Sequence, residues 1–351
     1  MTKLIFTRYL YNKDEVELTL LESILKKKDF NEVYFWLNEL YESQEKINTW
    51  QFIYKIYFDF YFLTNQKFYN KINSYYKKYQ KKDKFNYLVN IVYNLWRSHK
   101  NITYDIFIFR TYYSNNLDSL ITNIDLTPCK GNNRYEKLLY FSLKNNNNNF
   151  IAFYLKKIKN NEKIVEFVEN HFNLKINLNS FYKNKFHIIL SHILQLPKTS
   201  CKFIFKKAPK DAYNYVKKKI NNKDEIHYKV LKAKRLYQIS KDIGCFDLSR
   251  SDVILKNEFW YNWEFYAYRS IIWKKRFDKF KIKVEKGKKK IVFLDDDEME
   301  EFYKIWGYEP DEQSKEVQDM SVCFIKSNKL KCWLSFLQTD KNLKIEKKLR
   351  Y

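Results

Sequence analysis

Apolar residues recur at intervals of three and four over most of the chain, the period of amphipathic helices. Asp14 is placed to cap a helix whose Val16, Leu18, Leu21 and Leu25 fall near one face. Lys26, Lys27 and Lys28 suit its negative C-terminal end. Asn31 is read as the cap of a second helix with Val33, Trp36, Leu37 and Leu40 inward. Thr49 precedes a third, in which Ile53, Ile56, Tyr57, Phe60 and Tyr61 recur. Phe68, Ile72, Tyr75, Tyr76 and Tyr79 mark a fourth, and Leu88, Ile91, Val92, Leu95 and Trp96 a fifth. Short connections make such neighbours antiparallel. The expected fold class is mainly α: an irregular α-solenoid or helical bundle, with no fixed repeat period to name a solenoid class.

Further along, 102–109 reads as a strand or an extension of the helical array. Pro128 and Gly131 mark a turn, and the five-asparagine run 145–149 a surface loop. Helices are expected at about 150–159, 162–171, 181–196, 211–220 and 223–243. An aromatic-rich helix follows over 258–280. Residues 282–285 and 290–294 flank Lys286, Gly287 and Lys288 as a β-hairpin, the small α+β element near the C-terminus. Asp295, Asp296, Asp297 and Glu298 open a last helix ending near Gly307. A domain boundary is placed at 200, giving a helical-repeat-like domain 1–200 and a helical domain 201–351 with the basic hairpin and the acidic helix; a single domain is the alternative.

Charge changes the picture. The 351 residues carry a formal net charge of +25, which raises affinity for polyanions. Lys (57) far outnumbers Arg (9), and Asn reaches 35. This bias also follows from AT-rich coding, which would leave the lysines as decoration of solvated helix faces. Arg is the residue that reads guanine with two hydrogen bonds, so its scarcity points to backbone contact and away from base readout.

The charge is also segregated. From Arg269 to Lys290 eleven basic residues face two acids, a net of +9; from Asp295 to Asp319 eleven acids face two lysines, a net of −9. One reading is a phosphate-binding ridge of Arg269, Lys274, Lys275, Arg276, Lys279, Lys288, Lys289 and Lys290, with Trp273, Phe277 and Phe280 available to stack on bases and the acidic stretch competing for the ridge or fixing it. The other is internal pairing between hairpin and helix through exposed salt bridges. A second basic-aromatic run, 75–82, has its tyrosines at core spacing.

Catalytic signatures are scarce. Four glycines leave no phosphate-cradling loop, and neither a dinucleotide fingerprint nor a nucleophile elbow is present. The five cysteines form no Cys-x-x-Cys pair, and none of the five histidines sits at metal-finger spacing, so neither metal nor cofactor is expected. His187 and His192 read as helix residues near a core. The acids 295–298 could hold Mg²⁺, but neighbouring side chains diverge and helix-end charge accounts for them better. The N-terminal apolar run is too short for a signal peptide. The richest run, 50–63, is broken by Gln51, Lys55 and Asp59, so no membrane span is expected.

Three stretches carry a resemblance: Phe6-Thr7-Arg8-Tyr9-Leu10-Tyr11 with Asp14-Glu15-Val16; Tyr261-Asn262-Trp263-Glu264-Phe265-Tyr266-Ala267 leading into Ile272-Trp273-Lys274-Lys275-Arg276; and Gly307-Tyr308-Glu309-Pro310-Asp311-Glu312-Gln313-Ser314. Together they resemble an uncharacterised protein family of nucleocytoplasmic large DNA (giant) viruses. The resemblance implies a viral context, in the host cytoplasm, the viral factory or the virion, and brings no catalytic residues. The function expected is a non-catalytic interaction scaffold with a basic surface for RNA or DNA backbone, in replication, gene expression or packaging, its partners being nucleic acid or other viral proteins. The alternatives are a structural or minor virion component and a divergent metal-dependent enzyme.

Overall fold

The computed structural model describes residues 5–98, 105–114, 125–178, 180–194, 204–210 and 256–306. The expected helices at 211–220 and 223–243 and the acidic stretch beyond 306 lie outside them. The described chain is mostly helical with one two-stranded antiparallel sheet, as the periodicity predicts. It groups into two units, one built from 5–49, 208–210 and 256–306, the other from 50–207. The first unit thus joins the N-terminal helices to the C-terminal aromatic region, where the sequence suggested a division along the chain at 200.

In the first unit a tight turn opens the chain. Phe6 and Asn12 form an antiparallel bridge, and Leu10 takes a left-handed φ of 55° to close it. Helices α1 (Lys13–Leu25) and α2 (Phe30–Glu42) pack against each other. Asp29 caps α2 by accepting from Asn31 N, so the cap lies two residues before the asparagine that the sequence suggested.

The expected helix over 258–280 is three short ones: α11 (Lys256–Tyr261), α12 (Trp263–Ala267) and α13 (Ile271–Phe277). Asn262 breaks the first join, its Nδ2 donating to the Glu258 carbonyl. Ser270 breaks the second in extended conformation, its Oγ accepting from Phe6 N at 2.7 Å. Short polar side chains that bond to backbone compete with the helix ladder in this way. Strands β1 (Ile282–Glu285) and β2 (Lys290–Phe293) pair in the register Ile282↔Phe293 to Glu285↔Lys290. One hairpin face, Ile282, Val284, Ile291 and Phe293, packs on a core of Phe6, Leu10, Phe259, Trp263, Tyr266, Trp273, Phe277 and Phe302. Helix α14 (Asp296–Trp306) closes that core with Phe302.

Helix α3 (Lys46–Phe60) starts three residues before the expected Thr49. From Trp50 on it belongs to the second unit, with α4 (Phe68–Lys81), α5 (Phe85–Arg97) and α6 (Asp105–Ile108). Residues Phe109–Tyr113 continue α6 as a π-turn, which settles the strand-or-helix ambiguity at 102–109 for helix over the described part. Helices α7 (Arg134–Lys144), α8 (Asn148–Lys157), α9 (Asn161–Phe172) and α10 (Lys185–Ile193) complete the unit. The asparagine run is half loop, since α8 already begins at Asn148. Asparagines cap three of these helices: Asn133 accepts from Glu136 N, Asn160 from Glu162 N and Lys163 N, and Asn184 from His187 N.

One polar cluster sits in the core of this unit. Asp59 receives Nε and Nη2 of Arg110, both at 2.8 Å, and pairs with His187 Nε2 at 2.6 Å. Tyr182 Oη stands 2.7 Å from His187 Nδ1. Burial opposes ionisation of Asp59, but Arg110 and His187 outweigh it and hold the carboxyl well below the ordinary range. Burial lowers the pKa of His187, so the neutral ring donates through Nε2 and accepts from the tyrosine through Nδ1. His187 is fully buried, as the helix-core reading of the sequence has it.

Candidate nucleic-acid interface

The basic segment from Arg269 to Lys290 spans α13 and the hairpin, and its side chains part ways. Arg269, Lys274, Lys275, Lys279, Lys288, Lys289 and Lys290 are exposed. Trp273, Arg276 and Phe277 are buried and Phe280 packs partly buried on the same core, and this corrects their place on the ridge. Trp273 is 0% exposed, stands edge-on to Trp263 at 5.3 Å and donates Nε1 to the Thr7 carbonyl at 2.9 Å. It has no free face for a base. Arg276 lies between the rings of Trp273 and Trp306, at 4.3 and 3.9 Å, and donates to the Arg8 carbonyl. Its charge serves the junction between the N-terminal turn and α13.

The reason was present in the sequence. Positions 259, 263, 266, 270, 273 and 277 advance by three and four, and all six are buried. That phase places Trp273 inward. It leaves Tyr261 out of step, and Tyr261 is 80% exposed. Tyr261 is thus the strongly exposed aromatic of α11, and the charge-led reading passed it over.

Tyr261 lies one helical turn from Glu258 on α11, and Glu258 anchors the hairpin tip. Lys289 pairs with Glu258, and Tyr266 shares the carboxylate. The lysine and tyrosine hydrogen bonds hold Glu258 below the ordinary range, with Arg269 adding to the positive field. Arg269 rests on the rings of Phe265 and Tyr266 at 5.0 and 5.5 Å. Thus Lys289, Tyr266 and Arg269 converge around one carboxylate. At the tip, Lys283 and Lys288 both reach Glu285, at 3.4 and 3.3 Å, and hold its pKa down. Lys289 takes the left-handed φ of 53° that the turn needs, while Gly287 does not. Lys286 and Lys290 have no carboxylate within ion-pair distance among the described residues.

The other ridge residues go elsewhere. Lys274 pairs with Asp278 at 2.6 Å and sits over the Tyr268 ring, and Lys275 bonds to Gln44 at 3.1 Å. Lys279 lines a cleft of about 390 Å³ with Phe280, Glu298, Glu301, Ile305 and Trp306. Glu298 reaches Lys281, accepting from its backbone N and pairing with its Nζ at 3.3 Å. Asp295 accepts from Asp297 N at 3.0 Å and caps α14. The internal-pairing reading is therefore realised at the hairpin base, and the tip keeps its excess of lysine. Among the described residues no helix is long and apolar enough to cross a membrane. Searches against protein-family models, curated proteins and solved structures find no match to this chain.

Proposed function

We propose that this chain is a non-catalytic interaction scaffold that holds a nucleic-acid backbone at the tip of its β-hairpin. One observation carries the reading. Lys286, Lys288, Lys289 and Lys290 crowd one turn, all exposed, and the carboxylates beside them are Glu285 and Glu258. Lysine acts as a point charge on phosphate, so the contact is indifferent to sequence. Arg269 extends the charge toward α11, and Tyr261 offers a π-face to an unpaired base. The viral setting, in replication, gene expression or packaging, follows from the resemblance of the three stretches.

The test is affinity against salt. Each phosphate neutralised by the protein contributes a slope of about −0.7 to −0.9 in log K against log salt. Changing Lys286, Lys288, Lys289 and Lys290 to Gln flattens that slope and weakens unrelated oligonucleotides alike. If affinity and slope are untouched in the folded variant, the tip is not the contact surface.

A further inference from the structure

The second unit holds an extended strap across the α4–α5 pair. Residues 204–207 carry no helix or strand, and two devices fix them. Phe205 sits on the ring of Tyr75 at 5.1 Å and within 6.3 Å of Phe68, with the ammonium of Lys71 4.8 Å from its ring centre. Tyr87 of α5 stands edge-on to Tyr75 at 5.9 Å and completes the floor. One residue on, the buried side chain of Asn94 reads the main chain of Lys206 twice, donating Nδ2 to the carbonyl at 2.7 Å and accepting from the amide at 2.9 Å.

A side-chain amide paired with the N–H and the C=O of one residue is a device for an extended peptide, and it takes no account of that residue's side chain. Asn86, Asn90 and Asn94 stand four apart on α5. Four helical residues advance about 6 Å, and two residues of extended chain advance about 6.6 Å. That spacing matches alternate residues in a strand laid along the helix; Asn90 Nδ2 already donates to the Asn86 carbonyl, and it is Asn94 that reads the strap. The resident strap is poorly matched in charge. At the rim Lys71 and Lys78 both lie over the Tyr75 ring, Lys71 also over Phe205, and the strap brings the exposed Lys206 and Lys207 to them.

We propose that the α4–α5 face is a receptor for an extended acidic segment of a partner protein, anchored by one aromatic side chain in the Phe205 position and by Asn94 on the following main-chain unit. The strap 204–207 is its resident occupant in cis. It holds the site because it is tethered, and a segment with Asp and Glu around the aromatic displaces it by matching the rim. This inference is independent of the hairpin reading, since it uses other residues in the other unit. The two-way amide contact favours peptide over nucleic acid here.

The probe is a fluorescein-labelled peptide, Asp-Glu-Ile-Phe-Asp-Glu, followed by anisotropy with the full chain. Phe205→Ala removes the cis anchor and raises affinity at least tenfold over the unaltered chain. Peptide Phe→Ala removes binding, and Lys71→Gln with Lys78→Gln weakens it and its salt dependence. A folded Phe205→Ala chain that binds the peptide no better than a scrambled one overturns the proposal. So does displacement of the strap by a single-stranded oligonucleotide and not by peptide. Should Phe205→Ala fail to fold, hydrogen exchange of the unaltered chain decides. Saturating peptide speeds exchange of the Lys206 amide if the site is a receptor, and an unchanged rate overturns it.

Discussion

Replacing Asp59 by Ala tests whether the buried Asp59–Arg110–His187–Tyr182 cluster holds the second unit together. The carboxylate accepts two bonds from Arg110 and one from His187, and Asp59 and His187 are wholly buried. Breaking a buried charge pair by removing one partner costs about 3–5 kcal/mol, because the surviving charge is left desolvated. With a denaturant slope of about 1–3 kcal/mol/M in urea, the midpoint falls by about 1–5 M. Asp59→Asn keeps one acceptor for the histidine and loses the charge, so it lies between the two. Urea melts followed by circular dichroism and by tryptophan fluorescence measure both variants. A loss below about 1 kcal/mol for Asp59→Ala would refute the structural reading, since ordinary surface changes stay within about 0.5 kcal/mol. The cluster would then be a site whose geometry is retained for something other than stability.

Trp273→Ala is expected to cost about 3–5 kcal/mol, the usual range for a buried tryptophan, whereas Tyr261→Ala leaves the melting temperature nearly unchanged and weakens single-strand binding more than duplex binding. Differential scanning calorimetry with binding assays separates the two, and a stable Trp273→Ala chain would return that residue to the surface. Stability should fall as pH drops below about 6.5: burial depresses His187 and His192, so there the unfolded chain takes up protons that the native chain does not, at up to about 1.4 kcal/mol per pH unit for each proton. Asp59, held low, adds a further loss only below about 3.9; melting temperatures from pH 7 to 5 that stay flat would contradict the buried neutral histidines. Asp295→Ala removes the cap of α14 and should cost about 1 kcal/mol, with no specific gain in melting temperature from Mg²⁺ in the unaltered chain; a Mg²⁺-dependent rise lost in the variant would revive a metal role for these acids.

The helical class, the hairpin at 282–293 and the acid-capped last helix were legible because each rests on local chemistry: a period of three to four, a turn between β-branched runs, carboxylates at a positive helix end. So was the inward face of Trp273, in the phase 259, 263, 266, 270, 273 and 277, although a +9 segment drew attention to charge instead. Asp59 was read only as a break in an apolar run; its partners Arg110 and His187 lie 51 and 128 residues away, and no local pattern names them. The same holds for Ser270 receiving Phe6 N from 264 residues off, and for the N-terminal turn packing with the aromatic helices of the C-terminal region. Which lysines are spent on internal pairs was likewise decided by tertiary structure. Ion pairing depends on distances of a few ångströms between side chains brought together by the packing of apolar faces, and the sequence specifies those faces without specifying which of them meet.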